Sequence, residues 1–84
     1  MATVRLTPEV QEQALALPLR IQTRVNEKVL EQLRQWPDVS GAKPLRHEWA
    51  GHYRKRTGAW RVIFKVIGDV VLVVRIDNRR DAYE

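Results

Sequence analysis

The apolar residues of this chain change their spacing once. Between Leu19 and Trp36 they stand at Ile21, Val25, Val29, Leu30, Leu33 and Trp36, three or four apart, which is the repeat of one helical face. From Trp60 onward Val62, Phe64 and Val66 alternate with Arg61, Ile63 and Lys65, which is the period of a strand. After the turn signal Gly68-Asp69, residues 70–76 are almost wholly β-branched and read as a second strand. A single switch of period places helices first and a meander second, so the expected class is α+β.

The punctuation agrees with this division. Thr3 to Leu6 is a short β-prone segment. Thr7-Pro8 reads as an N-cap followed by proline at the first helical position, with Glu9 near the positive end of the helix dipole. Val10, Ala14, Leu15 and Leu17 give this helix an apolar stripe. Pro18 ends it and opens the next helix, and Pro37 stops that one. Pro37 to Gly51 is a connector whose Leu45 and Trp49 are expected to pack down. His52 to Thr57 is a shorter strand before Gly58. The whole chain, residues 1–84, is expected to be a single domain. An N-terminal strand and a helical hairpin pack on a C-terminal antiparallel β-meander, and the opening strand joins at an edge.

Register decides which side chains share a face, because a slip of one residue exchanges the faces. A two-residue Gly68-Asp69 loop would pair Ile67 with Val70. A three-residue loop would pair Val66 with Val70 and gather Trp60, Val62, Phe64, Val66, Val70, Leu72, Val74 and Ile76 on one side. Burial of that many apolar groups, each worth about 1.5 kcal/mol or more, favours the longer loop. On this reading one face seats the helices. The other, with Arg61, Lys65, Arg75 and Asp77, is a cationic platform.

Composition narrows the function. The chain has no cysteine, which excludes a disulfide framework, a thiolate metal site and a Cys nucleophile. Its two histidines do not fill a zinc site without carboxylates. Its longest apolar run is far short of the roughly 20 residues of a membrane helix, and no apolar signal segment follows the N-terminus. A soluble cytoplasmic protein without metal or cofactor is expected. The net charge is +5. Residues 1–42 hold five basic and five acidic groups, whereas residues 43–84 hold ten basic and five acidic, so the whole excess lies in the second half. Eleven of the fifteen cations are arginine, the residue suited to bidentate phosphate contacts. A polyanion or an acidic protein is the expected partner, with nucleic acid foremost.

Two segments sharpen that expectation. Tyr53-Arg54-Lys55-Arg56-Thr57-Gly58-Ala59-Trp60-Arg61 has the form aromatic, Arg, x, Arg, x, Gly, x, aromatic, Arg. Near the C-terminus, Arg79-Arg80-Asp81-Ala82-Tyr83 places two arginines before a tyrosine. With these motifs and this order of elements the chain resembles the RelE/ParE superfamily of small toxins from toxin–antitoxin systems, over essentially its whole length. The resemblance to RelE-like members implies a ribosome-dependent endoribonuclease that cuts mRNA in the ribosomal A site. The adjacent 2′-OH attacks the scissile phosphate, so neither metal nor attacking water is needed. Such a site needs a group that removes the 2′-OH proton, cations that offset the phosphorane charge, a donor for the leaving 5′-oxygen, and surfaces on which bases stack.

By motif position Arg61 and Arg79 match the family's phosphate-stabilising arginines. Arg54 falls where the family has a Lys or Arg near the reaction centre, and Tyr83 matches the terminal tyrosine. These four are the catalytic candidates, with His52, Arg56 and Arg80 as RNA-binding candidates. His52 shares its strand face with Arg54, and histidine is the side chain whose ordinary titration falls near neutrality. Blander readings stand beside these. Arg61 and Arg75 can solubilise a sheet face or pair with Asp77, His52 can be an ordinary exposed strand residue, and Tyr83 a frayed end. Tyr53 and Trp60 are expected to point inward with the core, and His47 to lie in a loop.

The chain also departs from the family. Asn78 stands where many relatives have His before the Arg-Arg pair, Lys55 is out of phase with Arg54, and the sequence reaches Glu84 without a C-terminal helix. The resemblance implies a cognate antitoxin as partner, through an acidic, partly disordered segment that folds on the toxin. The alternative is a ParE-like toxin, which inhibits DNA gyrase without nuclease activity.

Overall fold

The structure, a computed structural model, describes residues 1–78. Its elements run β1 (Thr3–Leu6), α1 (Pro8–Leu15), α2 (residues 19–33), β2 (Lys43–Pro44), a 3-10 turn (His47–Trp49), β3 (Tyr53–Thr57), β4 (Trp60–Ile67) and β5 (Val70–Asn78). The five strands form one sheet in the order β1-β5-β4-β3-β2. β3, β4 and β5 are the antiparallel meander, and β1 joins β5 in parallel at the edge. The α+β arrangement is the expected one. β2 is an addition from within the connector, pairing with β3 at the opposite edge.

Local chemistry starts α1 as its sequence requires. Thr7 is extended, its hydroxyl accepts the Val10 N–H at 3.2 Å, and Pro8 takes the first helical position. The Thr7 N–H also bonds the Val73 carbonyl, which ties the helix start to β5. Replacing Thr7 with alanine removes the cap and is expected to cost about 1 kcal/mol of stability, read as a lower urea midpoint at unchanged slope. A midpoint equal to wild type would show that the hydroxyl is replaced there without loss.

α2 is α-helical over Leu19–Val25, widens into a π turn at Asn26–Leu30, and closes as α-helix at Glu31–Leu33. Its buried residues are Val25, Val29 and Leu33, each four apart. In a regular α-helix a spacing of four overshoots a full turn by about 40° each step. A π turn rotates less per residue and brings the three side chains back into line with the sheet.

The helices cover one face of the sheet. Val10, Val25, Val29 and Leu33 meet Val62, Phe64, Val71, Val73 and Ile76 in one buried cluster, with Trp36, Tyr53 and Trp60 packed against it. Phe64 stacks on Tyr53 at 5.7 Å and meets Trp36 edge-on at 5.5 Å. Tyr53 and Trp60 therefore point inward as expected. The stripe of α1 is narrower than its sequence suggests, because Leu15 is 76% exposed at the helix end.

The β4–β5 register corrects the expected loop. Ile67 pairs with Val70 across a two-residue Gly68-Asp69 turn. Gly68 has φ +60 while Asp69 stays in the ordinary region, which is the two-residue hairpin turn that suits strand twist. The predicted gain in burial is recovered further along. Ile63 pairs with Arg75 and Phe64 with Val73, so Val74 is an extra residue, a β-bulge. Before the bulge the core receives Val71 and Val73 rather than Val70 and Leu72. After it the phase is reset, so that Ile76 enters the core and Arg75 and Asp77 face the opposite side. Turn chemistry and burial are both satisfied at the expense of one bulge.

Candidate functional site

The sheet face away from the helices carries the candidate site, and the register arranges its side chains in cross-strand rows. One row is Arg56, Arg61 and Asp77, and the next is Lys43, Arg54, Ile63 and Arg75. Nearer the β4–β5 turn, Lys65 and Arg5 flank Leu72. This is the cationic platform expected from the sequence, and Arg61, Lys65, Arg75 and Asp77 all lie on it. Arg56 stands directly opposite Arg61, and Lys43 opposite Arg54. Like charges in direct cross-strand register oppose sheet formation. Their retention on one face marks a surface suited to an anion.

Asp77 organises the centre of this face. Its carboxylate accepts from Arg61 Nε at 3.2 Å and Nη2 at 3.4 Å, and from Arg75 Nε at 2.7 Å. The ion pair that the blander reading anticipated is thus present, but one carboxylate serves two guanidinium groups. A net positive charge remains, and Asp77 occupies only the Nε/Nη2 edge of Arg61. The Arg61 side chain is 16% exposed and that of Arg75 is 43% exposed, so the first is held and the second is accessible. Asp77 therefore fixes the orientation of the arginine that the motif singles out, which is the kind of preorganised cation that a developing phosphorane charge requires.

β3 places Arg54 and Arg56 on the same face as Arg61, and all three candidates from the first motif come together. Lys55 turns the other way, as its phase requires. It is 7% exposed and donates from Nζ to the Ser40 carbonyl at 2.7 Å, tying the connector to the sheet. Gly41 approaches this ammonium closely at φ +80, where a Cβ would lie 3.3 Å from Nζ.

His52 sits at the start of β3, half-buried, with its ring edge-on to Trp49 at 5.2 Å and its Nδ1 buried without a hydrogen-bond partner. It is not the ordinary exposed strand residue of the blander reading. Trp49 stands beside this face, and sequence reasoning assigned it no role beyond packing. Arg75 lies over its ring at 5.9 Å from the centroid. Only its position in the motif-flanking connector hinted at this, since a loop tryptophan has no periodicity to assign it a face. Arg79, Arg80 and Tyr83 lie outside the described residues.

Among the described residues no group of three or more His, Asp or Glu side chains is placed to hold a metal ion, and no helix is long and apolar enough to cross a membrane.

A helical hairpin on one face of a small mixed sheet is the arrangement of solved toxins from toxin–antitoxin systems, and the family model and the relatives place this chain among them. The chain belongs to the RelE/ParE toxin superfamily: the family model for the ParE toxin of the type II toxin–antitoxin system parDE matches residues 4–83. Toxin RelG of Mycobacterium tuberculosis is 35% identical over 83 residues, which take in 96% of this chain and 94% of that protein. A chain of the RelBE2 toxin–antitoxin complex of the same organism superposes with a TM-score of 0.81 at 32% identity, covering 93% of this chain and 98% of that one. The isolated RelE toxin of E. coli gives a TM-score of 0.75 at 15% identity, covering 93% of this chain and 84% of its own, a likeness of fold.

Proposed function

We propose that this toxin is a ribosome-dependent endoribonuclease that cleaves mRNA in the A site, acts in the cytoplasm, and is held inactive by a cognate antitoxin. The observation that carries this reading is the convergence of Arg54, Arg56 and Arg61 on the helix-free face, with Asp77 orienting Arg61. In the proposed reaction the 2′-OH of one nucleotide attacks its own 3′-phosphate. The 2′-proton passes to a base, the phosphorane charge is met by Arg61 and Arg79, and the 5′-oxygen leaves with a proton. The products are a 2′,3′-cyclic phosphate and a 5′-hydroxyl, with no outside reactant consumed. Arg54 is assigned to the reaction centre, Tyr83 to base stacking or proton transfer, and Arg56 and Arg80 to the RNA backbone. His52 is the RNA-binding candidate at the start of β3.

The antitoxin is expected to be an acidic, partly disordered segment. A groove of about 150 Å³ between β1 and α2, lined by Val4, Leu6, Asn26, Leu30, Glu31 and Arg34, supports a docking position of mixed character beside β1, an edge strand among the described residues. The basic face offers a second, electrostatic one.

A second reading rests on the family model itself, which describes a ParE toxin: inhibition of DNA gyrase without cleavage of RNA. A coupled translation reaction read by primer extension separates the two. Discrete cuts in the reporter mRNA that require ribosomes are the expected result. Intact mRNA together with loss of gyrase supercoiling activity would replace the nuclease by the gyrase inhibitor.

A further inference from the structure

The helix-free face has one feature that phosphate binding does not use. Ile63 is fully buried but lies outside the helix-side cluster. It sits between Arg54 and Arg75 in their cross-strand row, so the side chains of this face cover it. Beside Arg75 stands Trp49, half-buried, edge-on to His52 at 5.2 Å, with the Arg75 guanidinium carbon 5.9 Å from its ring centroid. Arg75 is itself fixed through Nε by Asp77 at 2.7 Å and is still 43% exposed. An aromatic ring and a guanidinium plane, the second held by Asp77 and both partly open, are the groups on which unpaired bases stack.

We propose that Trp49 and Arg75 form a nucleobase-stacking subsite next to the phosphate position at Arg61, which takes one unpaired RNA base flanking the scissile bond. The inference rests on the nuclease reading above. Asp77 joins the two positions, since it binds Arg61 and Arg75 with the same carboxylate. Arg75 and Asp77 are two residues apart on one strand, about 7 Å, a separation that one nucleotide spans. The base so held is oriented by stacking, which every base can satisfy, so the subsite positions the RNA more than it selects a sequence. His52 acts through Trp49, whose ring it meets at 86°.

The test uses the full chain and ribosomes programmed with synthetic mRNAs in which one A-site nucleotide at a time is abasic. Single-turnover cleavage is measured for wild type, Trp49→Ala and Trp49→Phe, and a circular-dichroism melt confirms that each variant is folded. On intact mRNA, Trp49→Ala is expected to slow cleavage by about tenfold or more, and Trp49→Phe to retain most of the rate. On the mRNA abasic at the stacked position, wild type and Trp49→Ala become equal, while every other abasic mRNA preserves the difference. A Trp49→Ala rate equal to wild type on intact mRNA, or an equal penalty on every abasic mRNA, overturns the subsite and leaves the nuclease standing. Failure of wild type to cut any programmed ribosome overturns the nuclease reading and the subsite with it.

Discussion

Replacing Arg61 with alanine is expected to lower mRNA cleavage by about 100-fold or more while leaving the fold in place. The two halves of this prediction come from the same carboxylate. Asp77 is bound by Arg61 on one side and by Arg75 at 2.7 Å on the other. Loss of Arg61 therefore does not strand a buried anion, and the stability cost is expected to stay near about 1 kcal/mol. The phosphate, in contrast, loses a cation that is 84% covered and already oriented, and solvent does not supply a substitute in that geometry. Arg61→Lys is expected to recover little, because an ammonium reproduces neither the forked contact with Asp77 nor the edge left for the substrate. Primer extension on ribosome-bound mRNA gives the rate, and urea unfolding gives the stability. Cleavage within threefold of wild type in folded Arg61→Ala would remove Arg61 from the site and reduce its pairing with Asp77 to a structural one.

Phe64→Ala is expected to lower the urea midpoint steeply. Phe64 is fully buried at the middle of β4, under α2, and shares its contacts with Tyr53 and Trp36. Truncating a phenylalanine of this kind costs about 3–5 kcal/mol, including the cavity left behind. A domain of this size has a total stability of about 4–13 kcal/mol at the usual value per residue. The substitution thus removes a large share of what holds the domain together, and the urea midpoint should fall accordingly. By comparison, alanine at Leu15, which is 76% exposed, should change the midpoint little. A loss below about 1 kcal/mol for Phe64→Ala would mean that Trp36 and Tyr53 close over the gap, contrary to the rigid packing of their three rings.

The hairpin of helices, the threonine cap, the meander and the cationic face were legible because each depends on residues close in sequence. Period, proline positions and Gly68-Asp69 are local signals, and they located β1, both helices and β3 to β5. Three features were not legible in this way. The bulge at Val74 arises from a conflict between a turn that favours one register and a core that favours another, and strand alternation alone represents only one of these at a time. The exposure of Leu15, the last residue of α1, depends on how that helix lies on the rest of the fold. The placement of Trp49 beside Arg75 joins a connector to the fifth strand, and no spacing within either segment encodes that meeting. On the site itself, the first motif brought Arg54, Arg56 and Arg61 together as expected, and the pairing of Arg61 and Arg75 with Asp77 was open to the sequence, whereas the direct opposition of Arg61 and Asp77 came only with the corrected register.

The parallel pairing of β1 with β5 has a bearing on how such a protein is made. Thr3 to Leu6 pair in the sheet with Val70 to Val73, 67 residues further along the chain. Contacts so distant along the chain form late and slowly. The sheet centre, the seat of the helices and the face that carries Arg61 and Asp77 all include β5. A nascent chain therefore has no assembled cationic face until β5 has emerged from the ribosome that is building it. For a protein proposed to attack translating ribosomes, the surface that would stop them is completed only when β5 joins the sheet.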